Sequence, residues 1–485
     1  MPKLKWKRLL SLCALTLVLL CATGLKNATI AEQLLSLEQV TGLQSISQED
    51  PVFREKYIVI FKQPLDPADP TAGYLQQRVE LGYQSADAPT VMRIGGYELN
   101  TENSLYDDRN ELAVTYNTNY VNVEYRYYGA SVPEGLDCDS TGLWQYLTDE
   151  NATEDFHRIR TALGTLLQGS WLISGESKGG TAVNLYCSYY PGDAAAWVSY
   201  VSFNVNGTGD TRFCQNIYES IGDTVYGPEQ AALYRDEVLR FQVACIEERE
   251  YLQAEYRRLG ESMNYTYREA CTPELMFDTA VLLYAVQLWQ YAESFEGLEA
   301  VLAMPREDDP ATEEDEHALY RQALLNELFD KITPNNFASN NRRQIAYLLQ
   351  NCSEDGAYYM DFSWLRAALA EAGTGAELAV TPELEEGLLF RLQLTEEQQA
   401  AFHYSSHVYD RLNSWSETTE ANVLLIYGQA DTWYPLRLQE TANESIHVYA
   451  SAEYPHTARI AYLPLEDRQE ILSLLDSWLP DGHRD

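Results

Sequence analysis

One stretch of sixteen residues constrains the fold more than any other: WLISGESKGGTAVNLY, at residues 171–186. An apolar run precedes a Gly-x-Ser-x-Gly turn centred on Ser177, and a helix-forming run follows it. A buried strand, a tight turn and a helix in this order expose a serine oxygen at the edge of a sheet. Gly175 and Gly179 avoid the Cβ clashes that such a turn would cause. The pattern predicts that Ser177 is a nucleophile, the alternative being a glycine-rich turn without chemistry.

The first half of the chain has the pattern of a parallel sheet. Between residues 57 and 205, β-type runs alternate with helix-type segments, and these runs are KYIVIF, PTVMRIGGY, NYVNVEYRYYG, WLISGES and WVSYVSFNV. The segment NATEDFHRIRTALGTLL spaces its apolar residues by three and four, which predicts an amphipathic helix that crosses the sheet. Strands that alternate with helices favour parallel pairing.

The middle of the chain has a helical pattern, and the β-type pattern returns near residue 422 with NVLLIYGQADTWYP and SIHVYASAEYPH. Acidic residues dominate EDDPATEEDE at 307–316, which is typical of a solvated loop. We therefore expect one α/β domain built from residues 50–213 and 405–485. A helical cap domain, residues 214–404, is inserted between its two parts.

Residues 1–26 have the features of an export signal. Basic side chains precede an uncharged apolar stretch from Leu9 to Leu20, and small residues follow. The stretch is shorter than the ~20 residues that usually span a bilayer, but extension through residues 9–25 leaves an uncleaved membrane anchor as an alternative. Cys21 would suit a lipid anchor, which the large Leu20 disfavours. We expect a secreted or surface-exposed protein.

The charge and the cysteines narrow the classes of partner. With 73 acidic and 34 basic residues, the formal charge is −39, which disfavours nucleic acid as a partner. Six cysteines follow the signal; export would permit disulfides, and six cysteines allow 15 pairings. The cysteine and histidine spacing gives no indication of zinc. We predict neither a metal nor an organic cofactor.

A serine hydroxyl is a weak nucleophile that needs a base, which an acid holds in turn. In α/β-hydrolases the chain order is serine, acid, histidine, with the acid and the histidine on loops after late strands. Asp431 follows the run VLLIYG, and His456 follows the run HVYAS. We therefore predict Ser177, Asp431 and His456 as the catalytic residues. The alternatives for the base are His403 and His407, because their segment re-enters the sheet domain. The alternatives for the acid, Asp193 and Asp410, lack the position on a loop directly after a strand.

An oxyanion hole requires two backbone N–H groups. The residue after the nucleophile, Lys178, supplies the first. The run VMRIGGYEL ends a predicted strand and offers Gly95, Gly96 and Tyr97 for the second, since glycines let the backbone approach a substrate. We predict Lys178, Gly96 and Tyr97 as the donors, the alternative being an ordinary turn at the glycines.

Several segments together resemble one family, the secreted tripeptidyl aminopeptidases of bacteria, which are serine peptidases related to prolylcarboxypeptidase and dipeptidyl peptidase II. The turn GESKGGTAVNLY resembles the Ser-Lys-Gly-Gly elbow of this family. The other similar segments are VNVEYRYYGASVP, WQYLTDENATEDFHRI, YYPGDAAAWVSYVSFNVNGTGDTRF, LLYAVQLWQY and HTARI. The resemblance covers about residues 55–480. Thr181 departs from it, because the family often has Met there.

The resemblance implies an α/β-hydrolase fold with a helical cap and the release of tripeptides from peptides with free N-termini. Ser177, Asp431 and His456 match the catalytic positions of the family. An exopeptidase of this kind needs a carboxylate for the substrate ammonium, and Glu98 and Glu124 are the candidates, with a structural ion pair or an exposed charge as the alternative for each. An esterase with the same three residues and an inactive surface-binding protein are the alternative functions.

Overall fold

The computed structural model describes residues 28–46, 52–99, 111–291, 294–306, 315–438, 441–479 and 482. Its strands form a single nine-stranded sheet in the order β1-β2-β3-β5-β4-β6-β7-β8-β9. The strands are β1 (Val40–Ser45), β2 (Glu55–Pro64), β3 (Tyr74–Tyr83), β4 (Thr90–Ile94), β5 (Asn119–Val123), β6 (Trp171–Glu176), β7 (Ala196–Tyr200), β8 (Val423–Gly428) and β9 (Ile446–Ser451).

Six of the strands, from β5 to β9 in the sheet, pair in parallel, as the alternation of strands and helices predicts. The first part of the sheet differs from that prediction, because β1, β2, β3 and β5 pair antiparallel. The sheet also begins at Val40, before the expected start at residue 50. Strand β3 contains several polar residues, so a search of the sequence for apolar runs did not reveal this antiparallel part of the sheet. Overall the sheet is mostly parallel, which confirms the predicted α/β class.

The α-helices of the described residues lie mainly between β7 and β8. The helices are α1 (Ile30–Leu35), α2 (Glu111–Thr115), α3 (Asp149–Gly164), α4 (Lys178–Tyr189), α5 (Arg212–Glu219), α6 (Asp223–Tyr226), α7 (Pro228–Glu247), α8 (Arg249–Ser262), α9 (Pro273–Tyr291), α10 (Glu296–Leu302), α11 (Glu316–Lys331), α12 (Arg342–Gln350), α13 (Ser363–Ala372), α14 (Pro382–Glu385), α15 (Leu388–Arg391), α16 (Glu396–Ala401), α17 (His407–Thr418) and α18 (Leu465–Trp478).

Helix α3 shows why the predicted amphipathic segment forms where it does. The Thr148 side chain caps its first turn by accepting a hydrogen bond from Asn151 N–H at 3.1 Å. Phe156, Ile159 and Leu163 lie on one face and are buried. The helix thereby packs one apolar face into the core beside the sheet.

Alternate residues of the central strands point to opposite faces of the sheet, as the period of a strand requires. Ile173 and Leu425 belong to a core on one face, while their neighbours Leu172 and Leu424 belong to a core on the other. A third core lies within the inserted helices. The inserted region is not wholly separate, because Ile345 and Leu349 of α12 pack into a core of the sheet. This contact brings α12 beside the elbow.

The predicted signal or anchor at residues 1–26 lies outside the described residues, and so does most of the acidic segment at 307–316. Within the part of the chain that is described, no helix is both long enough and apolar enough to cross a membrane. All six cysteines after the signal are described and free: Cys138, Cys187, Cys214, Cys245, Cys271 and Cys352.

Candidate active site

Ser177 occupies a strained turn between β6 and α4. Its backbone has φ 55° and ψ −125°, a conformation that L-residues rarely adopt. The turn is fixed on both sides of the residue, since Ser177 N–H donates to Tyr200 O at 2.9 Å and Ser177 O accepts from Thr181 N–H at 3.0 Å. The side chain is half-buried and faces a cavity. This geometry is that of the predicted nucleophile elbow.

The sheet topology brings the other two predicted residues to the same edge. Strands β6, β7, β8 and β9 are consecutive parallel neighbours, so the loops after them meet at their carboxyl ends. Ser177 follows β6, Asp431 follows β8 and His456 follows β9. Gly428 allows the last two loops to meet, because a Cβ there would lie 2.1 Å from Pro455 O.

Asp431 and His456 form a buried pair. His456 Nδ1 lies 2.7 Å from Asp431 Oδ2, and the side chains are 6% and 2% exposed. Asp431 Oδ1 accepts a hydrogen bond from Trp433 N–H at 3.0 Å, which fixes the carboxylate. His456 Nε2 is buried and has no hydrogen-bond partner among the described residues, so its bond to Ser177 is not formed here. The ring therefore offers one nitrogen for proton transfer.

The loop after β4 contacts the elbow directly. Gly96 is buried against the start of α4, where a Cβ would lie 2.7 Å from Gly179 N. Gly95 N–H already donates to Val123 O at 2.9 Å, whereas Tyr97 is held through its carbonyl, which accepts from Tyr125 N–H at 3.1 Å. Lys178 opens α4, and N–H groups in a first helical turn have no intrahelical acceptor. Of the predicted oxyanion donors, Gly96 and Lys178 thus pack directly against each other.

The Lys178 side chain turns away from the cavity into a group of buried acids, named the Lys178 cluster here: Lys178, Asp149, Glu354 and Asp355. Lys178 Nζ lies 2.8 Å from Asp355 Oδ2 and 3.9 Å from Asp149 Oδ1. Glu354 Oε2 accepts from Asp149 N–H at 2.6 Å. Asp149 opens α3, while Glu354 and Asp355 end a π-helical turn, Asn351–Asp355. The cluster therefore joins the elbow, a sheet helix and the inserted region.

Burial and charge shift the pKa values within the Lys178 cluster. Burial raises the pKa of Asp355 to about 7, and the neighbouring Asp149 carboxylate adds to this. Burial also raises the pKa of Glu354 to about 7. For Lys178, burial opposes the charge, but the Asp355 and Asp149 carboxylates outweigh it and raise the pKa. The ammonium is thus kept charged, while burial favours the neutral forms of Asp355 and Glu354.

A cavity of about 330 Å³ lies between the elbow and the inserted helices. Ser177, Phe203 and Trp433 line it from the sheet side, while Tyr291 of α9 and Tyr358 line it from the insertion. Tyr291 also contacts His456 edge to face, with ring centroids 5.9 Å apart. Six carboxamide side chains face the same space: Gln287, Gln290, Asn336, Gln344, Asn351 and Gln393. The lining of the cavity is therefore polar and aromatic.

The two predicted amine contacts have different surroundings, and neither is among the described residues that line the cavity. Glu124 is buried, and its oxygens accept from Leu99 N–H, Ala130 N–H and the Ser131 hydroxyl at 2.6–3.1 Å. These bonds make Glu124 a structural residue of the loop, which corrects its prediction as an amine contact. Glu98 is 42% exposed and pairs with Arg343 at 2.8 Å. A role for Glu98 in binding stays a prediction.

The alternative acids and bases lie in other environments. Asp193 pairs with His157 at 2.7 Å and accepts from the Tyr186 hydroxyl at 2.5 Å. Asp410 accepts from the Ser406 hydroxyl at 2.7 Å on an exposed turn. His407 lies 3.7 Å from Glu354, on the cluster side of the elbow. Among the residues weighed from the sequence, only Asp431 and His456 combine burial, mutual contact and a place after β8 and β9.

Comparisons with known proteins identify the family of this chain. The family model described as PS-10 peptidase S37 matches residues 24–317, more than half of the 485 residues. The chain belongs to the S37 peptidase family. This peptidase is therefore a serine hydrolase of the α/β-hydrolase class, as the elbow geometry also indicates. The matched range includes Ser177, whereas Asp431 and His456 lie beyond it.

A relative named prolyl tri/tetrapeptidyl aminopeptidase, from Streptomyces mobaraensis, is 24% identical to this peptidase over 91% of the chain and 83% of the relative. Two solved structures are also similar. A proline iminopeptidase from Mycobacterium smegmatis is 13% identical with a TM-score of 0.31, over 87% of this chain and 97% of that one. Acetyl xylan esterase 1 from Thermoanaerobacterium is 10% identical with a TM-score of 0.34, over 93% and 92%.

Sequence reasoning missed two parts of the site, the acids around Lys178 and the arginine beside Tyr97. A lysine in an elbow of small and apolar residues signals a buried counter-ion, because a lysine is rarely buried unless paired. The sequence offers 73 acids for that role and does not select Asp355 among them. Arg343 carries no sequence signal, since it lies in the polar segment SNNRRQ.

Proposed function

We propose that this peptidase is an exported serine exopeptidase, which removes short peptides from free N-termini through an acyl-enzyme on Ser177. The observation that carries the proposal is the strained elbow, which presents Ser177 to a covered cavity beside the buried pair of His456 and Asp431. A nucleophile, a base with a free ring nitrogen and an orienting acid are the parts that acyl transfer needs.

In the first step, Ser177 Oγ attacks the carbonyl carbon of the scissile peptide bond, and His456 Nε2 takes the hydroxyl proton. Asp431 accepts from Nδ1–H, which selects the required tautomer and stabilises the imidazolium. Collapse of the tetrahedral intermediate breaks the C–N bond, and the same proton passes to the leaving amine. Water then attacks the acyl-enzyme by the same route, releasing the N-terminal fragment as a free acid.

The oxyanion of each intermediate would receive hydrogen bonds from Lys178 N–H and from the loop at Gly96 and Tyr97. The close packing of Gly96 on the elbow supports this, because the two donors must lie within ~3 Å of one oxygen. The Lys178 side chain donates to Asp355 at 2.8 Å, on the side of the elbow away from the cavity. This contact helps to fix the position of the Lys178 backbone N–H, which is the first proposed donor. Donors that are fixed before the reaction require little reorganisation during it.

The proposal includes two statements about substrate specificity: cleavage near a free N-terminus and a preference for proline. The name of the Streptomyces relative, prolyl tri/tetrapeptidyl aminopeptidase, supports both. The helices over the cavity favour chain ends, since a folded chain does not fit a space of about 330 Å³. Phe203 and Trp433 pack with ring centroids 4.7 Å apart and line the cavity with Tyr358. This apolar wall suits a compact, ring-shaped residue beside the scissile bond.

The experiment compares a chromogenic tripeptide amide that ends in proline with its N-acetylated twin, using the chain without residues 1–26. We expect cleavage of the free-amine substrate only, and its loss in Ser177→Ala by roughly a factor of 10⁶. Equal cleavage of both substrates would overturn the exopeptidase part. Unchanged turnover in Ser177→Ala, or turnover of acyl esters without turnover of peptides, would overturn the peptidase assignment to this serine.

A further inference from the structure

The charged side chains that line the cavity above Ser177 have the opposite sign to the net charge of the chain. Acidic residues outnumber basic ones, 73 to 34, over the full sequence. Among the described residues that line the cavity, the charged ones are Lys331 and Arg343, and none is acidic. A ligand in this space therefore meets positive side chains and carboxamides. Such a lining favours an anionic group over a cationic one.

Arg343 lies close to the proposed oxyanion loop. Its guanidinium stacks on the Tyr97 ring, with Cζ 4.7 Å from the ring centroid. Arg343 Nε donates to both Glu98 oxygens, at 2.8 and 3.0 Å. These contacts fix the plane of the guanidinium and use one of its three nitrogens. No described residue accepts a hydrogen bond from Nη1 or Nη2, and the side chain is 48% exposed.

Lys331 adds a second positive charge to the same lining. It is the last residue of α11, and its ammonium lies 2.7 Å from the exposed carboxylate of Asp330. An exposed pair between neighbouring residues is weak, so the ammonium can turn toward a ligand at little cost. A planar guanidinium with two free amino groups matches the two oxygens of a carboxylate, and the lysine contributes as a point charge.

We propose that Arg343, supported by Lys331, forms a subsite for a carboxylate of the peptide substrate. The proposal rests on the proposed peptidase function and names the substrate class of the same cavity. Arg343 lies on Tyr97, beside the loop for the scissile carbonyl, so the carboxylate belongs to a residue near the cleaved bond. In a cavity this small, the C-terminal carboxylate of a short peptide and an acidic side chain offer the same chemistry.

The experiment uses two pairs of substrates that share one N-terminal tripeptide. The first pair are pentapeptides that end in a free carboxylate or in an amide. The second pair are amide-capped pentapeptides with Glu or Gln directly after the cleaved bond. We expect the carboxylate member of at least one pair to have about a tenfold higher kcat/KM. A preference in the first pair identifies a C-terminal carboxylate, and one in the second pair identifies a side chain.

Arg343→Gln should remove this preference, so that kcat/KM becomes equal within each pair. Arg342→Gln is the matched control, because Arg342 lies on the same helix but donates to Gly129 O at 2.9 Å. Glu98→Gln should increase the preference several-fold, since it removes the negative charge beside the guanidinium. Equal kcat/KM within both pairs, or a preference that survives Arg343→Gln, would overturn the subsite.

Binding to the Ser177→Ala variant separates this inference from the proposed function. Calorimetry with the same pairs measures the carboxylate preference without turnover. If the wild-type chain cleaves no peptide but Ser177→Ala binds the carboxylate members about tenfold more tightly, the proposed function fails and the subsite stands. If the wild-type chain cleaves every peptide and binding is equal within both pairs, the subsite fails and the function stands.

Discussion

The elbow at Ser177 separates two regions that differ in charge: the buried Lys178 cluster, called the region below Ser177, and the cavity, called the region above it. Below Ser177, the Lys178 cluster buries three acids around one ammonium, and Asp355 and Lys178 are 5% and 3% exposed. Above Ser177, the described lining of the cavity has basic residues, carboxamides and aromatic rings, without an acid. The same short turn separates the two environments, since Lys178 directly follows Ser177 in the chain.

The difference shows how a strongly acidic chain can keep carboxylates out of the cavity beside the proposed nucleophile. Carboxylates beside an oxyanion would oppose the charge that develops during acyl transfer. Below the elbow the acids hold Lys178, and through it the turn, but their side chains do not line the cavity. We infer that the acids below contribute to stability and that the groups above determine which substrates bind. Variants on each side test this division.

The largest effect is expected from Asp431→Asn, which should change chemistry and leave stability intact. The amide would favour the wrong tautomer of His456, so kcat should fall by about 10⁴, measured with the free-amine tripeptide substrate. Asp193→Asn is the matched control, because Asp193 contacts His157 at the same 2.7 Å away from the elbow. A similar loss in both variants would show that the effect is not specific to the Asp431 pair.

The next effect is expected from Lys178→Met, which leaves the three acids without their cation. The free energy of unfolding should fall by about 3–5 kcal/mol, measured by urea denaturation, because breaking a buried pair leaves an uncompensated charge. The double variant Lys178→Met/Asp355→Asn should recover part of the loss. Lys331→Met, on the cavity side, should change the value by less than about 0.5 kcal/mol. An equal fall in unfolding free energy for Lys178→Met and Lys331→Met would contradict the inference that only the buried cluster contributes to stability.

A smaller effect concerns pH. With a pKa of about 7 in the folded chain, Asp355 and Glu354 bind protons that the unfolded chain releases near pH 4. Their contribution to stability is therefore full below about pH 4 and is lost as pH rises through about 7. The charges that face Glu354 are those of Asp149, Glu150, Asp355, Lys178 and, at 3.7 Å, His407.

Glu354→Gln removes one of these titrations and keeps an oxygen for Asp149 N–H. Relative to wild type, the variant should gain on the order of 2 kcal/mol in unfolding free energy between pH 4.5 and pH 7.5. Urea denaturation at several pH values measures this difference. Parallel curves for the two proteins would mean that the pKa of Glu354 is the same in the folded and the unfolded chain.

The smallest effect is expected from Gln287→Glu, which places an acid in the cavity with almost no change of shape. Gln287 lies on α9 among the lining residues. A carboxylate there should raise KM for acidic peptides about fivefold, which corresponds to about 1 kcal/mol between partly solvated charges. The neutral twin serves as the reference substrate. A fall in KM for the acidic peptide would contradict the proposed charge preference of the cavity.

The turn at Ser177, the loops that carry Asp431 and His456, and the main helices of the middle region could be predicted from the sequence alone. These features are local or ordered along the chain: an apolar run, small residues at fixed spacing, and loops after strands. The helix predicted over NATEDFHRIRTALGTLL is α3, and the helix predicted over ELMFDTAVLLYAVQLWQY is α9. Periodicity is a short-range property, so a single sequence reveals it.

The charged residues that surround Ser177 could not be predicted from the sequence, because their positions depend on the tertiary structure. Lys178 and Asp355 are far apart in the chain, and the contact that joins them depends on how α12 packs against the sheet core. Glu124 and Glu98 look alike in the sequence, yet one is enclosed by three hydrogen bonds and the other pairs with an arginine. Burial and partner choice follow from packing over long distances, because the free energy of a charge depends on everything that surrounds it.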